Sequence, residues 1–249
     1  MYKEFYHLKE EPFNITADPD FFFSSSRHTE AYNHLLYGIE QRKGIIAMTG
    51  DIGTGKTTLC RILLNRLNHK TKTAFILNPN FSETQLLQII LKDFGLTSKN
   101  HNRLAWISSL NEFLLGETSQ GHNIALIIDE AQNLKVPQLE QIRLLSNLET
   151  EKAKLLQIVP VGQQELFDKL KLPTLRQLNQ RICVRYRVLP LDKSEVSNYI
   201  HHRLKVAKAT RKLNFTKEAI AAIYWHSQGT PRLINILCDR ALLAGFVAG

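Results

Sequence analysis

Gly44-Ile45-Ile46-Ala47-Met48-Thr49-Gly50-Asp51-Ile52-Gly53-Thr54-Gly55-Lys56-Thr57-Thr58 is the stretch from which the fold follows. Gly44 to Thr49 form an apolar run that leads into the glycines and reads as a strand. Past the glycines, Leu59, Ile62, Leu63 and Leu67 recur at spacings of three and four, which predicts a helix. Strand, glycine-rich turn and helix, with a lysine and a hydroxyl at the helix start, make a P-loop. Glycines let backbone N–H groups turn inward around a phosphate chain, and a helix N-terminus favours the anion. A glycine-rich turn that binds nothing has no need of these flanks. The binding residues on this reading are Gly50, Asp51, Ile52, Gly53, Thr54, Gly55, Lys56, Thr57 and Thr58. Lys56 reaches the β- and γ-phosphates, and the Thr57 hydroxyl sits on Mg²⁺.

The complement lies at Ile124-Ala125-Leu126-Ile127-Ile128-Asp129-Glu130-Ala131-Gln132, an apolar strand ending in adjacent carboxylates. Central parallel strands read this way, and ligands gather at their carboxyl ends. Asp129 fits the holding of Mg²⁺, and Glu130 the polarising of the water that attacks the γ-phosphate. A strand ending in acids is weak alone and strong behind a P-loop. A strand and two helices intervene, so the Asp129 strand need not neighbour the P-loop strand. With Glu130, this points to ATP hydrolysis rather than to a small kinase.

The chain has 249 residues, 43% of them hydrophobic and 22% charged, with no repeat or low-complexity tract, an ordinary globular composition. Its apolar runs are too short to span a bilayer, and the amino terminus lacks a signal-peptide core. Cys60, Cys183 and Cys238 lack metal-ligand spacing and fall within predicted helices or strands, so buried free thiols are expected. The net charge of +9 permits an anionic partner without requiring one. A modest basic cluster, Arg203, Lys205, Lys208, Arg211 and Lys212, reads either as an anion surface or as a solvated helix face.

Ahead of the P-loop, Phe5, Tyr6, Leu8, Phe13 and Phe21-Phe22-Phe23 carry too much aromatic surface to stay solvated, and a helix follows from about Thr29 to Gln41. These aromatics either pack over a nucleotide base or plug the core. Thr73–Asn78 predicts a second strand, and Ser82 with Gln85 a capping box opening a helix that Gly95 stops. A further helix covers about Leu104 to Leu115, and Pro137 opens another. Leu155–Val161 is a fourth strand. Gln163 just beyond it is either a γ-phosphate contact or a helix-initiating polar residue. Arg181 precedes the strand Ile182–Val188, where an arginine could reach a neighbouring subunit's phosphates. Arg176 is the second candidate, and a surface ion pair is the plain alternative. Beyond Pro190 come helices opened by Asp192, Thr216 and Pro231, without a strand, a small lid that would bring Arg232 onto the phosphates.

The whole set resembles an AAA+ ATPase, and more narrowly the ExeA/GspA group, which includes the MshM-type ATPases of pilus and secretion systems. The residues that carry the likeness are Met1-Tyr2 with Phe5, Glu11-Pro12-Phe13, Tyr37-Gly38-Ile39, Arg42-Lys43-Gly44 and Asp129-Glu130-Ala131-Gln132. Val161-Gly162-Gln163, Leu175-Arg176-Gln177-Leu178, Gly229-Thr230-Pro231-Arg232 and Cys238-Asp239-Arg240-Ala241-Leu242 add to it. The resemblance implies an α/β P-loop NTPase (ASCE/AAA+) with a parallel five-stranded sheet of order 5-1-4-3-2. Residues 1–190 would form the nucleotide-binding domain and 191–249 a helical lid. It implies ATP and Mg²⁺ as cofactors and a homo-oligomer with ATP at subunit interfaces. Arg181 becomes the arginine finger, Arg232 sensor 2 and Gln163 sensor 1, a position where many members carry Asn or Thr. A cytoplasmic ATPase with an envelope or secretion partner follows, joined to a membrane only through a segment beyond Gly249. The alternative within the same core is a DNA-binding regulator of transposition, like TnsC or TniB.

Overall fold

In chain order the elements are α1 (Tyr2–Phe5), α2 (Ser26–Glu40), β1 (Ile45–Gly50), α3 (Lys56–Arg66), β2 (Thr71–Ile76), α4 (Glu83–Asp93), α5 (Arg103–Ser119) and β3 (Asn123–Ile128). They continue with α6 (Val136–Leu145), β4 (Gln157–Gly162), α7 (Gln164–Leu170), α8 (Arg176–Gln180), β5 (Ile182–Val188), α9 (Lys193–Val206), α10 (Lys217–Ser227) and α11 (Pro231–Ala248). The computed structural model describes residues 2–67, 70–97, 102–151, 153–209 and 213–248. These fall into two compact units: Met1–Thr29, Asp51–Arg61 and Val188–Gly249 form one, Glu30–Gly50 and Ile62–Arg187 the other.

The second unit is built on a five-stranded sheet of order β2-β3-β4-β1-β5, the expected 5-1-4-3-2 counted from the other edge. Parallel pairing sets Ile45 against Ile158, Ala125 against Gln157 and Thr71 against Asn123. β4 therefore separates β1 from β3, an arrangement that the intervening strand and helices left open and the family resemblance implied. β1 and β4 are buried at every position, and β3 at all but its first, which is why these strands are apolar throughout. Helices cover the sheet with Leu87 and Ile90 of α4, Leu110 and Leu114 of α5, Leu139 and Ile142 of α6, and Leu166 of α7.

Local chemistry sets the helix ends. Ser82 Oγ accepts the Gln85 N–H at 3.2 Å while Gln85 Oε1 accepts the Ser82 N–H at 2.9 Å, the capping box that the sequence predicts. α5 starts under the Asn102 side chain, which accepts the Ala105 N–H at 2.8 Å, and runs beyond the expected Leu115. The edge strand β5 exposes Cys183, Arg185 and Arg187 on alternate positions. Cys60 and Cys238 are buried free thiols as expected, but Cys183 is exposed, because only one face of an edge strand is covered.

In the other unit, Tyr2, Leu8, Phe13 and Phe21 are buried in one core with Leu191, Val196, Tyr199, Ile200, Ile234 and Leu242. These amino-terminal side chains act as core, with α9 and α11 as their partners. α9 opens where the Glu195 carboxylate accepts the Asp192 N–H at 3.1 Å, and α10 where Thr216 Oγ1 accepts the Ala219 N–H at 3.2 Å. The basic cluster is not a single surface. Arg203 is buried: it donates to the Pro12 carbonyl, to the Asn14 carbonyl at 3.0 Å, and stacks 4.8 Å from the Phe21 ring centre. Its charge is satisfied inside the unit and is lost to any external anion. Arg211 and Lys212 lie outside the described residues.

Candidate nucleotide site

The loop from Asp51 to Gly55 leaves β1 and feeds α3, whose first residue is Lys56. Gly53 and Gly55 have φ of 79° and 90°, the left-handed region that glycine enters at no steric cost. Internal bonds hold the turn: Thr54 Oγ1 donates to the Asp51 carbonyl at 2.8 Å, and Lys56 Nζ to the same oxygen at 3.0 Å. Two other parts of the same unit reach the loop. The Arg232 N–H, near the start of α11, donates to the Gly53 carbonyl at 3.2 Å. A Cβ on Gly53 would lie 2.5 Å from that of Arg232, so no larger residue fits there. His28 Nε2 stands 2.8 Å from the Thr54 carbonyl. The structure thus brings sequence-predicted Arg232 to the P-loop, its backbone docked and its side chain exposed.

In the other unit, Asp129 follows β3 at the carboxyl edge of the sheet and is buried, with its N–H donating to the Ile76 carbonyl at 2.8 Å. Asp129 Oδ1 accepts the Glu130 N–H at 2.9 Å. Glu130 itself takes a left-handed backbone, φ 51° and ψ 37°. Gln132 Nε2 donates to Glu130 Oε2 at 2.5 Å, and Gln132 Oε1 accepts the Gln163 N–H at 3.0 Å. Lys169 Nζ caps the Gln132 and Leu134 carbonyls at 2.6 and 2.7 Å. A Cβ at Gly162 would fall 2.6 Å from Gln132 Oε1, so this network requires glycine before Gln163.

Gln163 occupies the N-cap position of α7, yet its side chain makes no capping bond. Its link to Glu130 runs through its backbone and Gln132. Arg181 ends α8, its Nη1 donating to Ser146 Oγ at 3.2 Å and to Asn147 Oδ1, both just past α6. Among the described residues it forms no ion pair. Arg176 is exposed. Two residues were given no role by the sequence reading. Gln132 stands two places after Glu130, within the Asp129-Glu130-Ala131-Gln132 stretch that carries the family likeness, but nothing local says that its amide reaches the carboxylate. His28 lies 26 positions before Thr54 and carries no local signal at all.

The family profile described as "AAA domain" matches residues 39–170. General secretion pathway protein A of Aeromonas hydrophila is 44% identical over 250 aligned residues, covering all of this chain and 46% of that relative. The chain belongs to the AAA family, in the group of General secretion pathway protein A. It spans about half the length of that curated relative. Solved structures share the fold. A Cdc6p from Pyrobaculum aerophilum matches with TM-score 0.65 at 17% identity, over 92% of this chain and 66% of its own. The Aeropyrum pernix ORC2 protein, solved in ADPNP–ADP complexes, matches with TM-score 0.63 at 16% identity, over 88% and 63% of the two chains. At such identities the likeness speaks for the fold alone.

The P-loop residues fit a nucleotide, since glycines at positive φ and a helix start supply the anion cradle. For Mg²⁺ the donor set is sparse. Among the described residues no group of three or more His, Cys, Asp or Glu could hold a metal ion. One hydroxyl and one carboxylate suit an ion that completes its shell with phosphate oxygens and water. Thr57 and Asp129 have that chemistry.

Proposed function

We propose that this AAA protein hydrolyses ATP to ADP and phosphate and that the hydrolysis drives envelope assembly for secretion or pili. The observation that carries the catalytic reading is the Asp129–Glu130 pair at the carboxyl end of β3, with Glu130 fixed by Gln132, in a chain whose β1 runs into the P-loop. Lys56 and the N–H groups of Gly53 to Thr58 would bind the phosphates. Thr57 and Asp129 would hold Mg²⁺, which when bound neutralises charge on the β- and γ-oxygens. Glu130 would orient the attacking water and take its proton. Arg232, docked on the loop, would pair with the phosphates from the lid, residues 191–249. Gln163 would sense the γ-phosphate.

The secretion role rests on the likeness to General secretion pathway protein A, and this chain matches only part of that protein. Among the described residues no helix is long and apolar enough to cross a membrane. Titration with a fluorescent ATP analogue and a phosphate-release assay test the chemistry. Lys56→Ala should abolish binding, and Glu130→Gln should bind ATP yet turn over at least about 100-fold more slowly. Normal turnover by Glu130→Gln removes it as the base. Cells lacking the protein test the role: restoration of secretion or piliation by wild type but not by Lys56→Ala is expected.

A further inference from the structure

Helix α2 opens beside a buried serine and a buried histidine, Ser25 and His28, neither of which belongs to any nucleotide-binding pattern in the sequence. The polar atoms of the His28 ring are both engaged. Nδ1 lies 2.7 Å from Ser25 Oγ and Nε2 lies 2.8 Å from the Thr54 carbonyl, in the P-loop. A carbonyl oxygen only accepts, so the proton must sit on Nε2. In the neutral ring Nδ1 is then an acceptor, and the Ser25 hydroxyl donates to it. The same hydroxyl oxygen accepts the His28 N–H at 3.2 Å, which pins the serine to the first turn of the helix. Phe22 closes the other side with its ring 5.4 Å away at 86°, edge to face. Burial holds the imidazole below its ordinary range, against the opposing pull of the Thr54 carbonyl, and so favours the neutral ring that this pattern needs.

We infer that His28 is a positioning residue for the nucleotide loop: its Nε2–H fixes the Thr54 carbonyl outward, so that the Gly55 N–H of the same peptide plane stands turned toward the phosphate position before nucleotide arrives. A peptide plane has its N–H and C=O on opposite edges, so fixing the Thr54 carbonyl also fixes the N–H of Gly55. The Arg232 N–H holds the preceding plane through the Gly53 carbonyl, and the N–H of that plane, on Thr54, donates to the Asp51 carbonyl at 3.3 Å, which closes the turn. The two neighbouring carbonyls of the turn are therefore held by α2 on one side and α11 on the other. Preorganisation lowers the ordering cost that nucleotide binding would otherwise meet. A Cβ at Gly55 would come within 3.1 Å of His28 Nε2, so the glycine also leaves the space in which this bond forms.

The inference rests on the P-loop being a nucleotide site, and the experiment separates the two. ATP-analogue affinity and steady-state turnover are measured for wild type, Lys56→Ala, His28→Ala, His28→Gln and Ser25→Ala, with thermal unfolding of each. If wild type binds no nucleotide, the site reading itself fails. If wild type binds and Lys56→Ala does not, the site stands and His28 is on trial. His28→Ala should then weaken affinity about tenfold, raising KM with little change in kcat. His28→Gln, which keeps an N–H donor, should recover most of it. Where His28→Ala does not fold, Ser25→Ala carries the test, with an expected loss of about threefold from the unfixed ring. Folded His28 variants of both kinds with wild-type affinity, or equal losses for Gln and Ala, would overturn the positioning role.

Discussion

Glu130 holds φ 51°, a conformation that costs a residue with a Cβ roughly 1–2 kcal/mol. Something must offset that cost, and Gln132 supplies a bond to the carboxylate while its other amide atom takes the Gln163 N–H. The proposed base and the end of β4 therefore share one side chain. Gln132→Ala should leave ATP affinity near wild type and slow turnover about 10- to 100-fold, the span expected on losing a charge-assisted hydrogen bond. Unchanged single-turnover rates would show the amide to be incidental. His28 gives a second residue-scale expectation. Its folded value lies below the ordinary 6.5, chiefly through burial, so below that pH the unfolded chain binds more protons than the folded one. Its stabilisation is complete above about pH 6.5 and is lost as pH falls toward the folded value. Urea midpoints between pH 8 and pH 5 should fall less for His28→Gln than for wild type.

At the scale of elements, α9 is tied to the amino-terminal segment by one buried cation. Arg203 reaches back 191 residues to Pro12, and its guanidinium also meets Asn14 and the Phe21 ring. Arg203→Met keeps much of the volume but strands the Pro12 carbonyl and leaves the Asn14 carbonyl with only the Asn235 amide at 3.3 Å, which predicts a loss of roughly 1–3 kcal/mol by urea denaturation. A loss within about 0.5 kcal/mol would mean that water satisfies those carbonyls in the variant. The capping signals at Ser82 and Thr216 were legible because they are local: donor, acceptor and helix lie within four residues. The burial of Arg203 and the exposure of Cys183 were not. Each depends on what the rest of the chain packs against, and a basic or apolar letter looks the same on either side of a surface.

For the molecule as a whole, the family likeness implies an arginine supplied by a second copy, and we propose Arg181 for that role. Arg181 is bound to Ser146 and Asn147 within its own chain, so acting on a neighbour's nucleotide would exchange those bonds for phosphate oxygens. Arg181→Ala and Glu130→Gln should each be nearly inactive alone. Mixed, they should regain a measurable share of wild-type turnover, because some interfaces would pair an intact Glu130 with an intact Arg181. Mixed assemblies that form, verified by co-purification of two tags, yet stay inactive would count against completion in trans.

The P-loop, the Asp129–Glu130 strand end and the strand order were within reach of the sequence. Apolar runs, helical spacing and glycine positions are properties of neighbouring residues, and a residue's neighbours are given by the chain. Family likeness supplied the order of the strands, which periodicity alone does not contain. What only the tertiary structure decided are meetings between distant residues: His28 on the Thr54 carbonyl, Arg232 on the Gly53 carbonyl, and Arg203 on Pro12. A hydrogen bond needs its two atoms within about 3 Å, and separations of 26 to 191 positions carry no trace of that distance until the core has formed.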